Sequence, residues 1–371
     1  MVPERVAMSE FDAANLADES LINPVLVIGA GLIGASIGIA LTSQGVSVHL
    51  TDRVKSHAIV AASRGAGVVT RPNLDEVKLV VVAVPPEAIS EVIARSLATY
   101  PNAVVTDVGS VKTSVRETLM ARGIDLVRYV GSHPMAGSQY SGPLTAVAEL
   151  FVDRNWVITP EPTSPYWAVD RVRALARLCG ARLLERTPGD HDRAVAEVSH
   201  LPQLMSSLMA ARLREVPTDD LALAGQGVRD VTRVAGSDPA LWRQIISANR
   251  DEVLAQLVAV RADLDRLVDS LADPDAVQDV LERGRSGSRA LPGKHGRRLQ
   301  DLVNVVVEIP DAPGALARLF ADIEAAGVNV EDLSIEHDPA REAGFLSVQV
   351  SPKRADALRR AMKAKGWALR A

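Results

Sequence analysis

Residues 25–41 read VLVIGAGLIGASIGIAL, inside a run from Leu21 to Thr51 whose 31 residues include no Asp, Glu, Lys or Arg. Val25 to Ile28 is short, apolar and branched, the composition of a strand buried on both faces. Gly29, Gly31 and Gly34 follow at the G-x-G-x-x-G spacing of a dinucleotide-binding βαβ unit. Gly29 permits a tight turn, Gly31 admits a pyrophosphate to the backbone, and Gly34 lets the next helix pack close to the strand. The N–H groups of Leu32 and Ile33 then open a helix whose N-terminus suits an anion. A second strand, Val46 to Thr51, ends at Asp52. A carboxylate there accepts hydrogen bonds from both ribose hydroxyls and repels a 2′-phosphate, so the expected cofactor is NAD. Arg53 beside it weighs the other way, as a possible phosphate partner.

The same uncharged run could be a membrane span or a signal peptide, but glycines interrupt it and Asp12, Asp18 and Glu19 precede it in place of a basic region. Neither a membrane nor a secreted context is expected. A chain of 371 residues supports two or three domains. The single cysteine, Cys179, excludes an intrachain disulfide and a cysteine-rich metal site, which points to the cytoplasm. A net charge of −5 and 3% aromatic residues supply neither the basic field nor the stacking surface that nucleic acids require.

Residues 1–23 are polar and unpatterned and read as a disordered tail. From 24 to 188, the runs Val25–Ile28, Val46–Thr51, Leu79–Val84, Ala103–Asp107 and Trp156–Thr159 read as parallel strands of a doubly wound α/β domain. From 189 to 283, long apolar patterns of helical period replace them, an all-helical domain with surface enough to bury against a second copy, so a homodimer is expected. Residues 284–300, with Gly, Ser, Pro and five basic residues, read as a solvated linker. Residues 301–371 read strand, helix, strand, strand, helix, strand.

In an open parallel sheet the carboxyl ends of the strands face the ligand crevice. Val84 and Pro85 close one strand there, and Thr106 to Lys112 closes the next, placing Ser110 beside the nicotinamide and the reacting carbon. Ser110 could also serve as a helix N-cap, with Lys112 solvated in the first turn. His133, within Tyr129 to Gly137, ends a further apolar run and can accept a hydroxyl proton near neutral pH. No His, Asp or Glu cluster shows metal-ligand spacing.

Together GAGLIG, DVGSVK, GSHPMAG, HDRAVAEVSHLP and GVRDVTRVAGSDPALWRQIISANRDEVL resemble the prephenate dehydrogenase family of tyrosine biosynthesis, over Val25 to Leu254. The resemblance implies a Rossmann-type nucleotide domain followed by a helical dimerisation domain. It also implies NAD-dependent oxidative decarboxylation of prephenate to 4-hydroxyphenylpyruvate. It places His133 as acceptor of the C4 hydroxyl proton, Ser110 as partner of that hydroxyl, and Arg233 as the grip on a substrate carboxylate, a task that suits a planar guanidinium. Arg229 lies one helical turn before it, and the pair would otherwise read as a solvated face. His191 and His200 lie on the first helices of the helical domain, and Pro202 kinks or restarts the helix there. Where the family usually has a second histidine this chain has Gln203, which can replace only its hydrogen bonds. Gln139 fills a place that is often acidic in the family. A neutral amide there favours prephenate over arogenate, whose side chain carries an ammonium.

The last module resembles an ACT domain, a fold that commonly binds amino acids. The resemblance puts the ligand loop at Asp311, Pro313, Gly314, Ala315 and Leu316, with Asn329 across a subunit interface, and implies feedback by an aromatic amino acid, tyrosine or phenylalanine. Arogenate dehydrogenase is the nearest rival. A β-hydroxyacid dehydrogenase would want a lysine between Gly189 and Arg283, where there is none. A non-catalytic amino-acid sensor would have no use for Ser110, His133 and Arg233 together.

Overall fold

The computed structural model describes residues 18–137, 141–291, 302–310, 312–330, 332–338 and 343–370; the tail to residue 17, Gln139 and Asp311 lie outside them. The chain divides into two compact units, residues 1–261 and 262–371.

The first unit is built on a parallel sheet of β1 (Val25–Ile28), β2 (Val48–Thr51), β3 (Leu79–Val82) and β4 (Val104–Asp107), in the order β2-β1-β3-β4. Val25 pairs with both Val48 and Leu79, and Leu79 with Val104. Between β1 and β3 the winding reverses, opening a crevice at the strands' carboxyl ends. The strands are apolar without alternation because both faces are covered. Val25, Val27, Val81 and Val104 pack with α1 (Leu32–Ser43) and α5 (Tyr166–Leu178). Leu26, Val80, Val82 and Val105 pack with α3 (Ile89–Thr99) and α4 (Thr113–Ala121). Helix α2 (Lys55–Ser63) follows β2, and Val68 beyond it makes a single parallel bridge to His49.

Three expectations need correction. The strand read at Trp156–Thr159 is β6 (Asn155–Thr159), which lies in a second sheet, β5-β6-β7, with β5 (Gly131–Pro134) and β7 (Arg182–Glu185). It is parallel to β7 but antiparallel to β5. Helix α5 makes the crossover between β6 and β7, whereas short 3-10 turns at Pro143–Thr145 and Ala148–Phe151 pack on α1 between β5 and β6, so the chain reverses instead. Val147 N donates to Ser36 Oγ at 3.1 Å and fastens that return to α1.

The tail is ordered from Asp18: residues 18–22 form a helical turn. Ile22 is fully buried, and Arg177 grips Asp18 through both Nε (2.6 Å) and Nη2 (2.5 Å). The linker also begins late, because an exposed helix whose N-cap is Asp273 runs on through residues 284–290. Arg283 pairs along it with Asp279.

The helical part of the first unit begins with α6 (Pro188–Val195), whose N-cap Thr187 accepts from Asp190 N at 3.1 Å. A π-helical turn, Ala196–His200, leads into α7 (Leu201–Arg212). Pro202 explains the wide turn: its ring crowds the carbonyl four residues back and it has no N–H to donate. Then come α8 (Gln226–Thr232), a 3-10 turn Arg233–Gly236, α9 (Pro239–Ala248) and α10 (Arg250–Asp269), which crosses into the second unit. Apolar side chains on these helices stand in solvent, among them Leu208, Val231, Leu254 and Val258.

The second unit holds α11 (Pro274–Ala290) and a four-stranded antiparallel sheet, β11-β8-β10-β9, from β8 (Val303–Pro310), β9 (Asp332–Asp338), β10 (Ala343–Val350) and β11 (Leu369–Arg370). With α12 (Ala315–Ala325) and α13 (Pro352–Ala364) the chain order is strand, helix, strand, strand, helix, strand. Val305, Val307, Leu319, Leu346, Val348 and Leu358 form its core.

Candidate active site

The crevice beside β1 fits a dinucleotide. Gly29 takes a left-handed φ of 102°, and a Cβ there would lie 2.2 Å from Ala83 O; at Gly34 it would lie 1.9 Å from Gly29 O. Gly31 faces open space, which leaves room for a phosphate against the backbone. No side chain caps α1 and its first turn carries no acid, so the N–H groups of Leu32 and Ile33 stay available. Asp52 is poised at the end of β2, its Oδ2 accepting from Ala30 N and its Oδ1 from Val54 N, both at 2.7 Å. Arg53 is exposed and has no ion pair among the described residues. Strand β3 stops at Val82, so Val84 and Pro85 belong to the loop over the crevice.

The turn after β4 departs from its expected reading. Helix α4 starts at Thr113, so Ser110 does not cap it. Asp192 of α6 does, its Oδ1 accepting from Lys112 N (2.9 Å) and its Oδ2 from Thr113 N (2.7 Å). Lys112 is not solvated but 1% exposed, ion-paired with Asp107 and donating to Ser132 O at 2.7 Å. Asp107 also accepts from Tyr129 OH at 2.8 Å and from Gly109 N at 2.9 Å, so the buried charge is fully partnered. Burial, then Asp107, holds the Tyr129 phenol well above its usual range. Ser110 lines a small cavity with Pro86, Val111, Ile245 and Ala248, and its hydroxyl has no partner among the described residues.

His133 is the third residue of β5, in the second sheet, which a parallel bridge between Val105 and Tyr129 ties to β4. Its Nδ1 lies 2.9 Å from His191 Nε2, and His191 Nδ1 lies 2.7 Å from Asp192 Oδ1. A carboxylate only accepts, so His191 carries its proton on Nδ1 and receives one on Nε2 from His133 Nδ1. This tautomer leaves His133 Nε2 with a lone pair and no partner among the described residues. Burial, then His191, Lys112 and His200, push the His133 pKa well below its ordinary value, so the ring is a base at neutral pH. Asn249, 5% exposed, donates to Asp192 O at 2.7 Å and lies 3.2 Å from His200 Nδ1. Burial lowers the His200 pKa to about 4. The Trp242 ring stands edge-on to His200 at 6.0 Å between centroids.

Arg233 opens the 3-10 turn after α8, exposed and unpaired among the described residues; Arg229 is also exposed and unpaired, as a solvated face would be. Gln203 is 6% exposed, and its amide donates to Val234 O at 3.0 Å. His133, His191 and His200 are thus brought into one network with Asp192 and Asn249. The sequence reading passed over those last two, although Asp192 stands beside His191 in the quoted motif, and it took Lys112 for a solvated residue. Its ion-pair partner Asp107 lies five residues upstream, but what encloses the lysine, Ser132 from β5 and Asp192 from α6, is distant in sequence.

Residues 37–185 match the family profile described as prephenate dehydrogenase, nucleotide-binding domain, and residues 187–282 the prephenate dehydrogenase dimerization domain. A probable prephenate dehydrogenase NovF of Streptomyces niveus is 35% identical over 355 residues, 92% of this chain and 98% of that protein. The crystal structure of Synechocystis arogenate dehydrogenase superposes with a TM-score of 0.61 at 27% identity, covering 72% of this chain and 100% of that one. The fold is also that of a prephenate dehydrogenase from A. aeolicus in complex with hydroxyphenyl propionate and NAD+, at 24% identity and a TM-score of 0.64, covering 72% and 98%.

Proposed function

The chain belongs to the prephenate dehydrogenase family, and from that membership we propose how its residues carry out NAD-dependent oxidative decarboxylation of prephenate to 4-hydroxyphenylpyruvate. One observation carries the reading: His133 is a half-buried, neutral histidine whose tautomer is set by a fully buried His191–Asp192 pair. Gly29, Gly31, Gly34 and Asp52 would hold NAD, which would supply the acceptor for the hydride leaving the substrate's C4. His133 Nε2 takes the proton of the substrate's C4 hydroxyl. His191 and Asp192 keep the ring oriented and stabilise the imidazolium formed, as the buried carboxylate does in hydrolase triads. Ser110 hydrogen-bonds the same hydroxyl from the cavity wall. Arg233 grips a substrate carboxylate, aided by a charge it cannot lose. The ring carboxylate leaves as carbon dioxide and the ring becomes aromatic.

Among the described residues no helix is long and apolar enough to cross a membrane. The protein works in a reducing compartment, the cytoplasm, as a homodimer through the exposed apolar helical surface. The C-terminal module is ACT-like and takes an aromatic amino acid as effector. Its element order and sheet order support that reading, as do a left-handed Gly314 (φ 82°) and an uncapped α12, with Pro313, Ala315 and Leu316 at the turn and Asn329 before β9. Comparing NADH formation from prephenate and from arogenate, each with NAD and with NADP, tests substrate and cofactor together. The expected result is turnover of prephenate with NAD. Turnover of arogenate alone would transfer the activity to the amino-bearing substrate and sink the Gln139 argument.

A further inference from the structure

Arg233 has no side-chain partner among the described residues, so only its backbone determines where the guanidinium is offered. That backbone is a short 3-10 turn with its own internal fastening: Ser237 donates to Val234 O through Oγ at 2.8 Å and through N at 3.1 Å. Those bonds fix the shape of the turn, but not its place in the unit. Its place comes from α7. Gln203 Nε2 donates to Val234 O at 3.0 Å, and Ser206 Oγ accepts from Ala235 N at 3.2 Å. Both side chains are buried, at 6% and 3% exposure. They stand three residues apart, and His200 stands three before Gln203, so all three lie along one side of the helical run. At the His200 end this side meets Asn249, which holds Asp192 and through it the His133 relay.

We infer that Gln203 is a positioning residue for substrate recognition: through the Val234 carbonyl it sets the Arg233 turn at a fixed distance from the proton acceptor, and it does not itself touch the substrate. The inference rests on Arg233 as the carboxylate grip. It explains what an amide does at a position where the family usually has histidine. An NH2 group is a donor at every pH and needs no tautomer to be chosen.

A double-mutant cycle in the full chain tests it, with kcat and the KM values for prephenate and NAD measured for Gln203→Met, Arg233→Ala and the pair. Methionine keeps the length and burial but cannot donate, and the Ser237 fastening keeps the turn formed. Gln203→Met should raise the prephenate KM roughly 5-fold, the worth of one neutral hydrogen bond, with kcat and the NAD KM near wild type. On top of Arg233→Ala it should add nothing. An unchanged prephenate KM in Gln203→Met, beside a raised one in Arg233→Ala, would overturn the positioning role alone. Additive effects would overturn it too, by putting Gln203 on the substrate. An unchanged KM in Arg233→Ala would remove the grip itself, and the inference with it.

Discussion

Asp192 spends one carboxylate on two tasks, capping α4 and orienting His191, while His133 Nε2 has no partner among the described residues. Replacing the acceptor with a ring-free amide, His133→Asn, should lower kcat by about 10²–10⁴-fold, the usual worth of a positioned base, with the prephenate KM little changed; a kcat near wild type would remove His133 from the chemistry. His200 gives a separate, thermodynamic readout. Its pKa is about 4 in the fold against 6.5 in a free chain. Above 6.5 both states are neutral; below it the unfolded chain takes up a proton that the native chain refuses, so stability falls as pH falls toward 4. The loss reaches roughly 3 kcal/mol. Urea titrations at neutral and acid pH should show a smaller loss in His200→Gln than in wild type, and identical losses would place the acid sensitivity elsewhere. His133 and Arg233 were legible as candidate residues because motif strings surround them. The burial of Lys112 was not, because it depends on Ser132 of β5, on Tyr129, which partners Asp107, and on Asp192 of α6, all distant in sequence.

Strand β1, the glycine turn and α1 follow from local sequence, since three glycines at G-x-G-x-x-G spacing select one reading of an uncharged run that composition alone would leave open. Strands β5 to β7 did not, because direction is decided by what lies between strands. The stretch between β5 and β6 is irregular, and its 3-10 turns reveal themselves only against α1. The linker expectation failed for a related reason: glycines at 284 and 287 face open space, where a helix tolerates them at a cost of about 1 kcal/mol each. Helix α4 depends on a cap from another element, so Asp192→Ala should lower stability by about 1–2 kcal/mol and lower kcat as well, because the same change frees His191. Lost stability with full kcat would confine Asp192 to capping. Asp107→Asn should cost more, about 3–5 kcal/mol, by stranding a buried lysine charge; a smaller loss on chemical denaturation would mean that Lys112 reaches water.

Across the first unit, the proposed base, His133, lies on a strand of the nucleotide-binding part, and the His191–Asp192 pair that orients it lies on the first helix of the helical part. The depressed pKa of His133 therefore reports both parts closed on one another. Burial is its largest cause, and His191 and His200 contribute from the helical side. The sequence suggested two parts with a boundary near residue 188, but not that His133 of one and His191 of the other are hydrogen-bonded. The most direct test is the pH profile of kcat/KM for prephenate with NAD, which reports the free enzyme's essential base. A base with its pKa well below 6.5 stays competent as pH drops through that value, so the profile should run level past 6.5 and bend down only well beneath it. A bend at 6.5 or above would describe a solvated histidine, contradicting the buried relay on which the account rests.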